Sequence, residues 1–134
     1  MIKYSLIIPC FNEAANLPNL IKKCKAITQN RNLEVIIVNN GSKDNTSEIL
    51  NKSLGESSQI LKVEIINNKG YGHGILVGLR KAKGEIIGWT HGDIQTDPAD
   101  FLTGIKFFTK WKKNIFVKGV RKKGHLLMFF LLMG

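Results

Sequence analysis

A chain of 134 residues with 43% apolar and 22% charged positions has the composition of one globular domain. It is large enough to hold a core without disulfides or a structural metal, which excludes stapled miniproteins and disordered tails. Twenty Lys and Arg against ten Asp and Glu give a formal charge of +10, a balance that favours anionic partners such as nucleotides, phospholipid surfaces or nucleic acid.

The predicted elements alternate along the chain. Tyr4-Ser5-Leu6-Ile7-Ile8 reads as a short apolar strand stopped by Pro9, and Leu17, Leu20, Ile21, Cys24 and Ile27 then recur at helical spacing. Glu34 to Val38 is a β-branched run with little alternation, as in a strand covered on both faces, and it ends in the turn Asn39-Asn40-Gly41-Ser42. Asp44 and Thr46 can cap a helix carrying Ile49, Leu50 and Leu54, after which Leu61 to Ile66 alternates as a strand with a more exposed face. The glycine-rich segment from Asn68 to Gly74 opens an amphipathic helix that Gly84 closes. Ile86 to Thr90 is the fourth strand, Asp97-Pro98 starts a helix, and Ile115-Phe116-Val117 is a fifth strand. This order predicts an α/β fold with right-handed crossovers, a mainly parallel sheet with helices on both faces, and ligands at the strands' C-terminal ends.

The two cysteines, Cys10 and Cys24, form neither a CxxC pair nor a metal-ligand spacing, so a reducing, cytoplasmic compartment is the simplest home. The longest apolar run, Leu126 to Met133, falls short of the ~20 residues that a spanning helix needs. No dinucleotide fingerprint follows the first strand, where Pro9-Cys10-Phe11-Asn12-Glu13 stands instead, and no GxxxxGK[ST] is present. What remains is a set of polar residues at successive strand ends: Asn12 and Glu13, then Asn39 and Asn40, then Asp93, Gln95 and Asp97. Each has an ordinary reading, as turn or helix cap, but in a parallel sheet these points converge on one rim. His73 is expected at the surface, Trp89 in the core and Cys10 packed at a strand end.

The motifs Pro9-Cys10-Phe11-Asn12-Glu13, Val38 to Thr46, Asn68-Lys69-Gly70-Tyr71-Gly72 and Gly92 to Pro98 resemble, in order and spacing, those of family 2 glycosyltransferases of the dolichyl-phosphate mannose synthase type. The resemblance runs from residue 4 to about residue 121. It implies a Rossmann-like GT-A fold, a nucleoside-diphosphate sugar donor, Mg²⁺ or Mn²⁺, and an inverting transfer, commonly to a polyprenyl phosphate. Carried over by position, Pro9, Phe11 and Glu13 line the nucleoside pocket. Asn39 and Asn40 stand where the family often has two aspartates, so an amide replaces a pure acceptor near the base. The family's DxD appears as His91-Gly92-Asp93. Asp93 and Gln95 then supply hard oxygen ligands, and His91 is a nitrogen ligand or a lining residue. Lys69 and the amides from Gly70 onward are phosphate contacts, and Arg121 in Gly119-Val120-Arg121 resembles a phosphate-binding arginine.

By this reading residues 1–121 are the donor-binding domain and 122–134 a basic, apolar tail. Members of the family continue further, so the resemblance implies that the chain carries the donor half, with slow transfer or none on its own. The terminal apolar run is expected to dock on the sheet, meet a membrane interface or promote homo-oligomers. The lysines crowded there suit the anionic cytoplasmic face of a membrane or form a solvated basic face. Two other readings stand beside this one. A nucleotide-sugar-binding fragment without turnover keeps the donor site alone. A nucleic-acid module needs stacking aromatics beside its lysines, whereas most aromatics here sit at core spacing, so a nucleic-acid partner is not expected.

Overall fold

The computed structural model describes residues 1–57, 59–93, 96–108, 116–118 and 129–132. Four strands, β1 (Tyr4–Cys10), β2 (Leu33–Asn40), β3 (Ile60–Ile65) and β4 (Ile86–Trp89), alternate with helices α1 (Leu17–Ile27), α2 (Thr46–Leu54), α3 (Tyr71–Lys81) and α4 (Asp100–Phe108). Two further strands follow, β5 (Phe116–Lys118) and β6 (Phe129–Leu132), and the sheet order is β3-β2-β1-β4-β6-β5. Strands β1 to β4 pair in parallel. β6 pairs antiparallel with both β4 and β5, so β5 runs in the direction of β4 and β6 alone among the described strands opposes the rest.

Residue parity decides which layer each strand residue enters, because successive side chains point to opposite faces. Leu6, Ile8 and Cys10 of β1 and Val35 and Ile37 of β2 join Leu17, Leu20, Ile21 and Cys24 of α1, Leu50 of α2 and Phe101 of α4 in the larger core. Ile7, Ile36 and Val38 face the other way, where Leu79 and Ala82 from the α3 side and Trp89 pack on them. β2 is buried at all eight positions, which explains its unbroken apolar character: it lies between β1 and β3 with both faces covered. Cys10 and Cys24 are free, buried thiols. Burial, with smaller contributions from Glu13 and Cys24, pushes the Cys10 thiol far up. Burial and then Asp97 push Cys24 up to about 12, so both behave as packing groups.

Three local expectations are corrected. β1 does not stop at Pro9 but runs through it to Cys10, with Pro9 paired to Val38. In a parallel ladder alternate residues bond opposite neighbours, and Ile7 already accepts from Thr90 N on the β4 side. The missing Pro9 N–H therefore falls where the pairing of β4 has ended. Gly84 does not close α3, whose C-cap is Ala82. Gly84 instead donates its N–H to Ser5 Oγ (2.8 Å), at an approach where a side chain would lie 2.6 Å from Ser5 N. His73 is not a plain surface residue, since its Nδ1 is buried without a hydrogen-bond partner. Of the terminal apolar run, the part that is described, Phe129–Leu132, is the strand beside β4. Among the described residues no helix is long and apolar enough to cross a membrane.

At the N-terminal end of the sheet, Ser5 Oγ donates to the buried Glu34 Oε1 (2.6 Å), which also accepts from Lys83 N (2.7 Å). This clasp ties β1, β2 and the approach to β4 together and leaves the opposite end of the sheet for the site.

Candidate functional site

The C-terminal ends of β1 and β2 continue into two loops that are bonded to each other. Asn12 N donates to Ser42 Oγ (3.0 Å), Lys43 N to Asn12 Oδ1 (2.8 Å), Glu13 N to Thr46 Oγ1 (3.1 Å) and Ala14 N to Asp44 Oδ2 (3.1 Å). Asn12 has φ +52, a conformation that Asn tolerates better than most residues. Asp44 Oδ1 accepts from Thr46 N (3.0 Å), so Asp44 organises the start of α2, as its place in the sequence predicts. Slight burial pushes the Asp44 carboxyl up, but the hydroxyl and amide of Thr46 and the amides of Ala14 and of Asp44 itself outweigh it and hold the group below its ordinary 3.8.

Between these loops, the start of α3 and the segment after β4 lies a cleft of about 230 Å³. Of the residues assigned to a site from the sequence, Pro9, Phe11, Glu13, Asn40, His91 and Asp93 line it together. Phe11 is 45% exposed, an open ring on the cleft wall. Glu13 is held by Asn16, whose Nδ2 donates to Glu13 Oε2 (2.7 Å). The two asparagines divide. Asn40 faces the cleft; its Nδ2 donates to Gly70 O (3.0 Å) and its Oδ1 is buried without a partner. Asn39 is absent from the lining because its amide is engaged elsewhere: Nδ2 donates to Glu64 Oε2 (2.7 Å), and Oδ1 accepts from Ser42 N (3.3 Å). Gly70, at φ +103, is the N-cap of α3, and the exposed Lys69 precedes it. Gln95 and Arg121 lie outside the described residues.

His91, Gly92, Asp93 and Tyr71 form a further part of the lining. Tyr71 and His91 stack with ring centroids 4.7 Å apart and planes 15° apart. His91 O accepts from Thr96 Oγ1 (2.9 Å), and Gly92 packs so closely on β1 that a side chain there would lie 2.6 Å from Cys10 Sγ. Burial, and after it the negative charge of Asp93, push the Tyr71 hydroxyl up to about 12, which places Tyr71 within the field of that carboxylate. Among the described residues no three His, Cys, Asp or Glu side chains group as a metal cage. One carboxylate with a neighbouring imidazole suits a hard cation that keeps waters and takes its remaining ligands from substrate phosphates.

Tyr71, Asn68 and the Glu64 partner of Asn39 were not legible as site residues from the sequence. Tyr71 looks like a helix-start aromatic until α3 packs on β1 and β2 and its first ring meets that of His91, after β4. Glu64 had one available signal, since strict alternation along β3 places it opposite Asn39 in the ladder.

The sequence profile described as Glycosyl transferase family 2 matches residues 5–127. The chain is 35% identical over 103 residues to the undecaprenyl-phosphate 4-deoxy-4-formamido-L-arabinose transferase of Yersinia enterocolitica, covering 73% of this chain and 31% of that protein. It is 31% identical over 100 residues to the transferase of the same name from Pseudomonas savastanoi pv. phaseolicola, covering 72% and 29%. The chain thus spans under a third of the length of these curated relatives. Among solved structures it is similar to the mannosyltransferase PcManGT from Pyrobaculum calidifontis in complex with GDP-Man and Mn²⁺ (TM-score 0.74, 23% identity, 90% of this chain and 36% of that one). It is also similar to glucosyl-3-phosphoglycerate synthase from Mycobacterium tuberculosis in complex with Mn²⁺, UDP and glucosyl-3-phosphoglycerate (TM-score 0.73, 19% identity, 92% and 45%). With the profile covering nearly the whole chain and the Rossmann-like GT-A architecture shared with these structures, the chain belongs to glycosyl transferase family 2.

Proposed function

We propose that this chain forms the donor-binding part of a glycosyltransferase that moves a sugar from a nucleoside diphosphate to a polyprenyl phosphate, with inversion at the anomeric carbon and with Mg²⁺ or Mn²⁺ bound. The observation that carries this reading is the convergence of Phe11, Glu13, Asn40, His91 and Asp93, from three strand ends, on one cleft. Phe11 and Asn40 form the nucleoside side: the ring offers a face for a base, and the Asn40 amide, anchored through Gly70 O, keeps one acceptor oxygen. The diphosphate lies toward the start of α3, where unpaired first-turn N–H groups and the positive end of the helix dipole favour anions, with Lys69 beside it. Asp93, with His91 and Gln95 nearby in sequence, faces the cation, and Arg121 is read as a further phosphate contact.

A bound divalent cation supplies charge neutralisation to the diphosphate as it departs from the anomeric carbon. The chain's own contribution is to hold the donor so that the face of the anomeric carbon opposite the departing diphosphate is open to the acceptor oxygen, which attacks in line as the bond to the diphosphate breaks. The names of the transferases from Yersinia and Pseudomonas support undecaprenyl phosphate or a close analogue as acceptor, and such a lipid puts the work at a membrane surface. We read the cytoplasmic face as that surface, because the chain's excess of Lys and Arg suits anionic headgroups. Thermal-shift and calorimetric panels of UDP-, GDP- and CDP-sugars, each with and without Mn²⁺, test the reading. One donor raising the melting point in a Mn²⁺-dependent way is the expected result, and no stabilisation by any of them would overturn it.

A further inference from the structure

The Tyr71–His91 stack joins two parts of the cleft that the sequence keeps apart. Tyr71 is the first residue of α3, directly after Gly70, and therefore belongs to the segment read as the phosphate cradle. His91 follows β4 and belongs to the segment that carries Asp93. Neither ring is locked by a buried pocket: Tyr71 is 40% exposed and His91 half-buried. An imidazole in such a place samples several rotamers unless something holds it, and near-parallel packing on a neighbouring ring at 4.7 Å does so. The backbone at His91 and Gly92 is already held, by Thr96 Oγ1 on His91 O and by the contact of Gly92 with Cys10. The ring of His91 is the part whose aim depends on Tyr71. On the other side, Gly70 O is tied to Asn40 Nδ2, so a shift of Tyr71 is passed to the start of α3 and to the nucleoside wall.

We infer that Tyr71 is a positioning residue that couples the two halves of the donor site, holding His91 beside Asp93 so that the nucleoside diphosphate and the divalent cation bind cooperatively. This rests on the donor-site reading above and adds to it a residue that touches neither reacting bond. The physical basis is pre-organisation: a ring already held in place spares the cost of ordering it when cation and diphosphate arrive, and ordering from either side of the stack favours the other. By linkage the effect is reciprocal, so Mn²⁺ tightens nucleotide binding by the same factor as nucleotide tightens Mn²⁺ binding.

The test is a set of calorimetric titrations of the chain with UDP and with GDP, each with and without saturating Mn²⁺, beside Mn²⁺ binding followed by electron paramagnetic resonance. For whichever nucleotide binds, the ratio of the two dissociation constants is expected to be about tenfold in the wild type, within the ordinary range for coupled sites. Tyr71→Leu is expected to lower that ratio about three- to tenfold, the worth of an aromatic pair, while Tyr71→Phe, which keeps the ring, restores it. In a His91→Ala background, Tyr71→Leu should have no further effect on the ratio. Equal weakening of nucleotide binding with and without Mn²⁺ in Tyr71→Leu, or an unchanged ratio, would overturn the inference and leave Tyr71 as a plain wall of the cleft. Circular dichroism and melting curves of each variant separate these outcomes from misfolding, and Tyr71→Phe keeps the test decisive if Tyr71→Leu does not fold. If the wild type binds neither nucleotide in any Mn²⁺-dependent manner, it is the donor-site reading that fails.

Discussion

Gly92→Ala isolates how strictly the packing of the cleft wall on β1 governs the site. The added methyl would lie 2.6 Å from Cys10 Sγ and 3.0 Å from Pro9 O. Ordinary contact begins at 3.4 Å, so the segment must retreat by most of an ångström, and one of the two obstacles is backbone. Cys10 offers little room, being 1% exposed within the core. Overpacking of this kind costs ~1–3 kcal/mol, which for a domain of this size lowers the melting temperature by roughly 3–6 °C per kcal/mol. The same retreat moves His91 and Asp93 away from the cradle, and a displacement approaching 1 Å at a positioned group can cost ~100-fold in function. Urea denaturation and Mn²⁺-dependent nucleotide titration are therefore both expected to register the change. Cys10→Ala should recover part of the loss when combined with Gly92→Ala, because it removes the sulfur while leaving Pro9 O in place. Unchanged stability and affinity in Gly92→Ala would refute the argument, as would strictly additive single and double variants, since residues in contact must show a coupling term.

Asp93→Asn should abolish the Mn²⁺-dependent part of nucleotide binding and spare the rest, because a neutral amide is a poor ligand for a hard divalent cation; calorimetry in Mn²⁺ and in EDTA reads the difference. Ser5→Ala leaves Gly84 N without its acceptor and removes one of two donors from the buried Glu34, so a loss of ~1–3 kcal/mol is expected by urea denaturation, with donor affinity nearly unchanged because this clasp sits at the far end of the sheet. Asp44 is held below its ordinary 3.8, so the stability it confers is fully present above that value and fades as pH falls through the lower folded value. Asp44→Asn should accordingly show a flatter acid limb in denaturation midpoints taken across that range.

The alternation of elements and the two-faced burial of β2 were legible because they follow from residue type and period alone. Leu6, Ile8, Val35 and Ile37 read as core in the chain and lie in the larger core. Local signals failed where a distant segment changed their meaning. Pro9 looks like a strand stop, and it ceases to be one only because β4 ends beside it. Gly84 looks like a helix cap, yet its place is set by the approach of Ser5 across the sheet. Within the site, the meeting of Glu13, Asn40 and Asp93 at one cleft follows from the rule that parallel strand ends share a rim, whereas Phe11 and His91 are placed there only by the family resemblance. The division between Asn39 and Asn40 is set by parity along β2, with Asn39 on the face of Val35 and Ile37 and Asn40 on that of Ile36 and Val38; the sequence masks it because Asn39-Asn40-Gly41-Ser42 reads as a turn and not as the end of the strand, and Glu64 then engages Asn39. Tyr71 stands within a motif of the resemblance, but no local signal shows its pairing with a ring twenty residues on.

The four hydrogen bonds that tie Asn12, Glu13 and Ala14 to Ser42, Lys43, Asp44 and Thr46 also bear on where this fold accepts new sequence. Surface loops are usually where a peptide tag or reporter domain can be spliced in, but lengthening either of these two would pull donors from acceptors on the other and carry Glu13 out of the cleft wall. The connection after α2 is different: Gly55 is open on the side a side chain would occupy, and Glu56 and Ser57, which follow it, are exposed. An inserted tag is expected to be accepted there with the donor cleft intact, and rejected at the loops after β1 and β2, although all three would look equally permissive in a plot of polarity along the chain.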